Sequence, residues 1–274
     1  MNMITLTLKE TQSIPLEADC ITPDNLSTKT NDEIKRQIVY WGNRKKTLGD
    51  FFEVEGEKSD RITMVGDCQK VKLIGHKMSF GSILVKGNTG YNTGSYMTGG
   101  SLVIDGNTAD YLGAMMEGGF IHLKGSAGHF TGGAYKGETT GMAGGEIVVE
   151  GSVGHEAGSY MRRGLIAIGG DAGDFTGLFL QAGSVVVLGK AGERAGANMK
   201  RGTIILMNQV GLLPSFHDSG IFTSPVINIL MRRIKSLGLN PPETGRFARY
   251  TGDSTGVGKG EILIRVNQRN HITQ

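Results

Sequence analysis

From Gly81 onward, aliphatic residues return at the same places in every nineteen. The chain reads GSILVKGNTGYNTGSYMTG from Gly81, GSLVIDGNTADYLGAMMEG from Gly100, and GFIHLKGSAGHFTGGAYKGETTGMAG from Gly119; the last copy carries seven extra residues, Tyr135 to Gly141. Further copies start at Gly145, Gly164 and Gly183, and Gly202 opens a partial one. Counting from each opening glycine, position 3 is Ile83, Leu102, Ile121, Ile147, Ile166, Val185 and Ile204, and position 5 is Val85, Ile104, Leu123, Val149, Ile168, Val187 and Leu206. Apolar residues one apart predict a strand with one face inward. Positions 13, 15 and 17 alternate too, as small residues ending in Met97, Met116, Met142, Met161, Leu180 and Met199, and predict a second inward strand. Glycine recurs at positions 1, 7, 10 and 14, where a chain turning corners needs positive φ or close backbone approach.

Such a unit, stacked copy on copy in parallel about 4.8 Å apart, is an all-β solenoid. Nineteen is not a multiple of six, unlike the left-handed hexapeptide helices, and parallel crossovers are generally right-handed. The expected fold is therefore a right-handed parallel β-helix with 19-residue rungs over residues 61–210. The spacing leaves no room for the helices of a TIM barrel or a Rossmann sheet. Solenoid ends need covers. Residues 1–60 form the expected N-terminal cap, with a capping box at Thr30-Asn31-Asp32-Glu33, a strand at Gln37 to Trp41 and a turn at Gly42-Asn43. Residues 211–274 form the expected C-terminal cap, with a helix at Pro225 to Leu237, Gly238 past its end, and a final strand at Glu261 to Val266.

Position 4 should face outward, yet it reads Leu84, Val103, His122, Val148, Ala167, Val186 and Ile205. Two covers suit this apolar stripe: a flanking segment of the same chain, or another subunit, for which Leu84, Val103, Val148, Val186 and Ile205 would be the docking residues. Position 6 begins Lys86, Asp105, Lys124, Glu150 and is a solvated charge ladder, to which no chemistry is assigned. Position 11 stacks Asp110, His129, His155, Asp174 and Glu193, with His129 and His155 as the metal candidates; an outward column with no nameable supporting partners fits surface residues better than ligands. Arg162, Arg163, Lys200 and Arg201 make a basic edge that either keeps the surface soluble or receives an anionic ligand or acidic partner.

Composition narrows the choices. Glycine supplies 44 of 274 residues and proline only 6, which excludes collagen. The net charge of +3, without runs of one sign, gives no footprint for nucleic acid. Cys20 and Cys68 stand far apart with no metal-binding spacing, as in a reducing compartment, and no apolar run is long enough to cross a membrane. A cytoplasmic protein is expected. Gly252 to Gly260 looks phosphate-binding, but five residues separate Gly252 from Gly258-Lys259 and Gly260 follows, so it is read as a glycine-rich turn. No nucleophile with a base, paired carboxylates or cofactor fingerprint emerges. The residues alone point to a scaffold, against an autonomous carbohydrate-active β-helix enzyme that would need a groove of clustered acids or aromatics.

The chain also resembles a known family. LGDFFEVEG at Leu48 to Gly56, the repeated GxIxVxGxxGxxxGxxM rungs, the insertion ending GMAGG at Gly141 to Gly145, and RYTGD at Arg249 to Asp253 are similar to the C subunit of formylmethanofuran dehydrogenase and, more so, to that of the bacterial formyltransferase/hydrolase complex. Glutamate synthase carries similar glycine-rich repeats, but as part of a much larger chain; the flanking motifs make the resemblance specific. It implies a non-catalytic β-helical subunit, with no family catalytic residue mapping here and no cofactor bound by this chain. The implied partners are an amidohydrolase-like hydrolase that releases formate and a formyltransferase working between tetrahydromethanopterin and a methanofuran-type carrier. The alternative is a dehydrogenase whose partners hold molybdo- or tungstopterin and iron–sulfur clusters. The basic edge is then expected to meet the carrier's glutamate-rich arm or an acidic neighbour.

Overall fold

The structure, a computed structural model, describes residues 3–243 and 245–266. Its N-terminal part contains β1 (Ile4–Leu8), β2 (Leu16–Glu17), α1 (Pro23–Leu26), α2 (Asn31–Lys35), β3 (Ile38–Trp41), β4 (Arg44–Thr47), α3 (Leu48–Phe51) and β5 (Phe52–Glu55). The repeats contribute β6 (Arg61–Val65), β7 (Val71–Lys72), β8 (Ser82–Lys86), β9 (Thr98–Ile104), β10 (Gly118–Leu123), β11 (Glu146–Val149), β12 (Leu165–Ile168), β13 (Ser184–Val187) and β14 (Thr203–Leu206). After them come β15 (His217–Phe222), α4 (Pro225–Ser236), β16 (Phe247–Gly252) and β17 (Gly260–Arg265).

Thirteen strands form one mainly parallel sheet in the order β15-β16-β17-β14-β13-β12-β11-β10-β9-β8-β6-β1-β5. Its register follows the repeat: Ile83 pairs with Leu102, Leu102 with Ile121, Ile121 with Ile147, and so on through Ile166, Val185 and Ile204. The insertion at Tyr135 to Gly141 leaves this register intact, because β11 still pairs with β10 residue for residue. Position-3 and position-5 side chains are buried in one continuous core, each worth roughly 1.5–3 kcal/mol on burial. The stack includes β6, ahead of the copies that begin at Gly81, with Ile62 opposite Ile83, and beyond residue 210 it gains β17, which returns after β16 to set Ile262 beside Ile204. A four-stranded sheet, β4-β3-β2-β7, stands beside the N-terminal end.

The second strand expected at positions 13, 15 and 17 is not one. Thr93, Ser95 and Met97 are buried as the alternation requires, but residues 91–96 form consecutive turns, with Asn92 and Tyr96 at φ of 62° and 57° and Gly94 at 69°. Left-handed residues alternating with buried ones aim every second side chain inward without extending the backbone, so periodicity two misread a run of turns. Gly132 shows why position 14 is glycine: its φ is 64°, and a Cβ there would stand 2.5 Å from Ile166 Cδ1. The second parallel contact lies instead at position 9, as single bridges from Cys68 through Thr89, Thr108, Ala127, Val153 and Ala172 to Ala191.

Other expectations are met locally. Thr30 and Glu33 form the capping box of α2, and α4 begins at Pro225 behind a Ser224 side-chain cap, with Gly238 at φ 105° beyond its end.

Candidate functional site

The position-4 stripe is divided by the chain itself. Val148, Ala167, Val186 and Ile205 are buried against Ile227, Met231 and Ile234, which lie on one face of α4, with Leu239 and Leu263 completing the contact. Arg233 ties the helix down through Glu146, its Nε 3.0 Å from the carboxylate. Three of the five residues offered as a docking stripe, Val148, Val186 and Ile205, are therefore covered from within. Cover ends near His122, which pairs with Glu150 at 2.8 Å, and beyond it Leu84 and Val103 remain half-exposed. The alternation of the strand could identify an apolar outer column but could not say that α4, distant in sequence, lies on part of it.

Arg162, Arg163, Lys200 and Arg201 are all exposed. Arg162 Nε donates to Gln181 Oε1 at 3.0 Å, and none of the four is in an ion pair among the described residues. The repeat that carries Gln181 and Ala182 stands between the two basic pairs.

Position 11 holds the chain together. Asp110 Oδ1 accepts the N–H of His129, His129 Nδ1 that of His155, His155 Nδ1 that of Asp174, and Asp174 Oδ1 that of Glu193, at 2.8–2.9 Å. Each side chain thus satisfies a donor in the next repeat, which requires the two Nδ1 atoms to be unprotonated. The rings of His129 and His155 stack at 4.9 Å and 5°. Among the described residues no three His, Cys, Asp or Glu side chains gather as a metal-holding group. Position 8 does the same work, from Asn88 through Asn107, Ser126 and Ser152 to Asp171. Polar residues at 19-residue spacing signal this second ladder, although its chemistry emerges only from the parallel register.

A further surface, unassigned from sequence, is aromatic. The left-handed turn positions 12 and 16 carry Tyr111, Phe130 and Phe175, and Tyr96, Tyr160 and Phe179, all with φ between 54° and 66°. Asparagine, which favours this region, occupies the equivalent places at Asn92 and Asn198. Tyr111 stacks on Phe130 at 4.7 Å and Tyr160 on Phe179 at 4.8 Å. Tyr135, from the insertion, contacts Tyr96 and Tyr111 at 5.8 and 5.0 Å and donates its hydroxyl to Asn92 Oδ1. Burial raises the Tyr135 and Tyr111 hydroxyls, and Asp110 and Glu156 raise the latter further, so both stay protonated donors. Between Tyr111, Tyr135, Pro15, Lys72 and Lys136 opens a cleft of about 540 Å³.

No family model matches the chain. A chain of the formyltransferase/hydrolase complex FhcABCD from Methylorubrum extorquens, solved with methylofuran, superposes with a TM-score of 0.90 at 32% identity, over 96% of this chain and 100% of that one. The chain belongs to the C-subunit family of formyltransferase/hydrolase complexes and formylmethanofuran dehydrogenases. The C subunit of tungsten-containing formylmethanofuran dehydrogenase 2 from Methanothermobacter marburgensis is 45% identical over 100 residues, 35% of this chain and 37% of that protein. Its counterpart in the molybdenum-containing dehydrogenase 1 from Methanothermobacter thermautotrophicus is 43% identical over 83 residues, 30% of this chain and 21% of that one. The matches thus span little more than a third of these dehydrogenase chains at most. Among the described residues, no helix is long and apolar enough to cross a membrane.

In this C-subunit fold, the motif LGDFFEVEG makes α3 and the sheet-edge strand β5, with Leu48, Phe51 and Phe52 buried. RYTGD closes β16 and delivers Asp253, a carboxylate only 3% exposed, to the last full repeat. Both motifs hold the ends of the sheet.

Proposed function

We propose that this chain is a non-catalytic structural subunit of a cytoplasmic formyltransferase/hydrolase complex. Its partners on this reading are an amidohydrolase-like hydrolase, which yields formate, and a formyltransferase; the complex moves formyl groups between tetrahydromethanopterin and a methanofuran-type carrier. The match to a chain of FhcABCD over essentially full length carries the reading. The surfaces support it. The polar columns act as acceptors for neighbouring backbone, whereas Leu84 and Val103 stay half-exposed and Arg162, Arg163, Lys200 and Arg201 exposed.

The repeats at 61–210 are read as turns of a right-handed parallel β-helix, supported by the 19-residue register of the sheet and by the parallel bridges at position 9, with residues 1–60 and 211–274 as its caps. Leu84 and Val103, the open part of the outer column, are proposed to dock a partner. Arg162, Arg163, Lys200 and Arg201 are proposed to receive carboxylates, of the carrier's glutamate-rich arm or of an acidic neighbour. A second reading, the C subunit of a molybdenum or tungsten dehydrogenase, is favoured by the higher local identity to the tungsten enzyme.

Purification of the tagged chain from its native cell at low salt, with mass spectrometry and a formyl-transfer assay on the eluate, tests both. A hydrolase and a formyltransferase with activity are expected. Pterin and iron–sulfur subunits would install the second reading, and a chain recovered alone would overturn both.

A further inference from the structure

Away from the sheet, successive repeats are joined by two further backbone donors. The position-9 N–H groups of Thr89, Thr108, Ala127, Val153 and Ala172 donate to carbonyls of the following repeat at 2.8–3.0 Å. Those at position 12, from Asn92, Tyr111, Phe130, Glu156 and Phe175, do so at 2.8–3.1 Å. The repeat that opens at Gly183 breaks both series. Its Ala191 and Arg194 N–H groups have no acceptor among the described residues, and the Ala191 carbonyl has no donor. Elsewhere this end of the stack is closed. β14 pairs with β13, and the Asn198 N–H, whose counterparts Tyr160 and Phe179 donate to the next repeat, donates to the Asp253 carboxylate at 3.0 Å.

The facing wall is unpaired as well. Gln209-Val210-Gly211 has the polar, small, glycine order of positions 8 to 10, as in Ser152-Val153-Gly154, and is the chain's own next step in sequence. Val210 nevertheless makes no bridge to Ala191, and a cleft of about 530 Å³ opens between Lys190–Glu193 and Asn208–Gly211. Among the described residues, no backbone group of 209–211 is hydrogen-bonded. Unpaired main chain on both walls suits an extended polypeptide that adds as a strand. Charge does not select the occupant, since Asp174, Lys190 and Glu193 line the cleft with both signs. The column selects it instead. Position 9 is filled by small residues that the next repeat buries, and Ala191, with nothing bridged above it, is only half-buried. At position 10 a Cβ on Gly192 would stand 2.3 Å from Asp174 Oδ1, and Glu193 holds that same place beneath an incoming segment. A small apolar residue followed by glycine therefore fits.

We infer that this slot receives an extended segment of a partner subunit, added as a strand between Ala191 and Val210, with a small apolar residue over Ala191 and glycine after it. Its carbonyls accept the Ala191 and Arg194 N–H groups, and its own N–H groups donate to the Ala191 carbonyl and the Glu193 carboxylate, which extends the position-11 ladder by one step. Each described strand of this chain already has a partner, so a second copy could supply one only by unpairing it. The inference rests on the subunit reading above and names a surface through which it operates.

Hydrogen exchange on the wild-type chain, free and in the complex purified from the native cell, tests this without any variant. Assembly should slow the Ala191 and Arg194 amides at least about tenfold, while those of Ala172 and Phe175, already bonded to the next repeat, stay slow in both states. A Cβ at Gly211 meets nothing within 4 Å, so Gly211→Trp can fill the cleft without straining the chain. It should lower partner retention about tenfold with unchanged melting, and Gly211→Ala should preserve retention. Equal exchange at Ala191 and Arg194 in both states, or full retention by Gly211→Trp, overturns this inference and leaves the subunit reading standing. Amides already slow in the free chain that Val210→Pro, or removal of residues 267–274 outside the described residues, makes fast would assign the slot to this chain itself. Protection that grows with the concentration of the chain alone would assign it to a second copy, and either result overturns the inference. A wild-type chain that recovers no partner overturns both readings.

Discussion

Asp253 is the sharpest place to measure what holds the returning C-terminal segment on the repeats. Its carboxylate is 3% exposed. Burial pushes it up, but the Thr255 N–H and hydroxyl at 2.9 and 2.7 Å, the Ser215 hydroxyl and the Asn198 N–H at 3.0 Å outweigh burial and bring it from 3.8 down to about 2. A group depressed on folding stabilises the native state above its unfolded value and loses that contribution as pH falls through the folded one. The lowering corresponds to ~2 kcal/mol, present at neutral pH and lost between about pH 4 and 2. Asp253→Asn removes the charge and turns a donor toward the Asn198 N–H. Urea unfolding at pH 7 should therefore find the variant less stable by ~2 kcal/mol, with the gap closing toward pH 2. Hydrogen exchange at the Asn198 and Thr255 amides should accelerate in the variant at pH 7. Equal stability at pH 7, or a gap that stays constant down to pH 2, would refute the reasoning.

Three further outcomes are expected. His129→Ala strands the His155 N–H and should cost about 1 kcal/mol with faster exchange at that amide, whereas His129→Asn should recover most of it, as Asn88 and Asn107 do at position 8; an alanine variant that melts like wild type contradicts the acceptor ladder. Cys20 and Cys68, pushed up to about 12 by burial first and by Asp19 and Asp67 second, should resist a maleimide at pH 8 until the chain is unfolded, and prompt labelling of the native protein would count against their burial. Ile234→Asp sets an unpaired carboxylate against Val148 and Val186, so limited proteolysis should cut within 225–236 while the β signal in circular dichroism persists; uncut α4 would show that its apolar face is not what seats it.

What the chain alone determined was the inward strand that opens each repeat. Position 3 and position 5 set inward strands every nineteen residues, so parallel register and core composition could be read from Ile83 to Ile204 without coordinates. Local signals also sufficed where their chemistry is local, as at the Thr30–Glu33 capping box and at Pro225 opening α4. Tertiary structure decided what depends on partners far apart along the chain. Inward alternation at positions 13, 15 and 17 arises from left-handed turns rather than a strand, because alternation records which side chains are buried and not how the backbone brings them there. His129 and His155, ambiguous as ligands or surface groups, became acceptors once the next repeat's N–H groups were set beside them. Val148, Val186 and Ile205 lost their claim as a docking surface when α4, which begins at Pro225, folded back onto them. The aromatic residues were present in the same repeats, but only the structure showed that residues at positive φ at positions 12 and 16 stack across neighbouring repeats, Tyr111 on Phe130 and Tyr160 on Phe179.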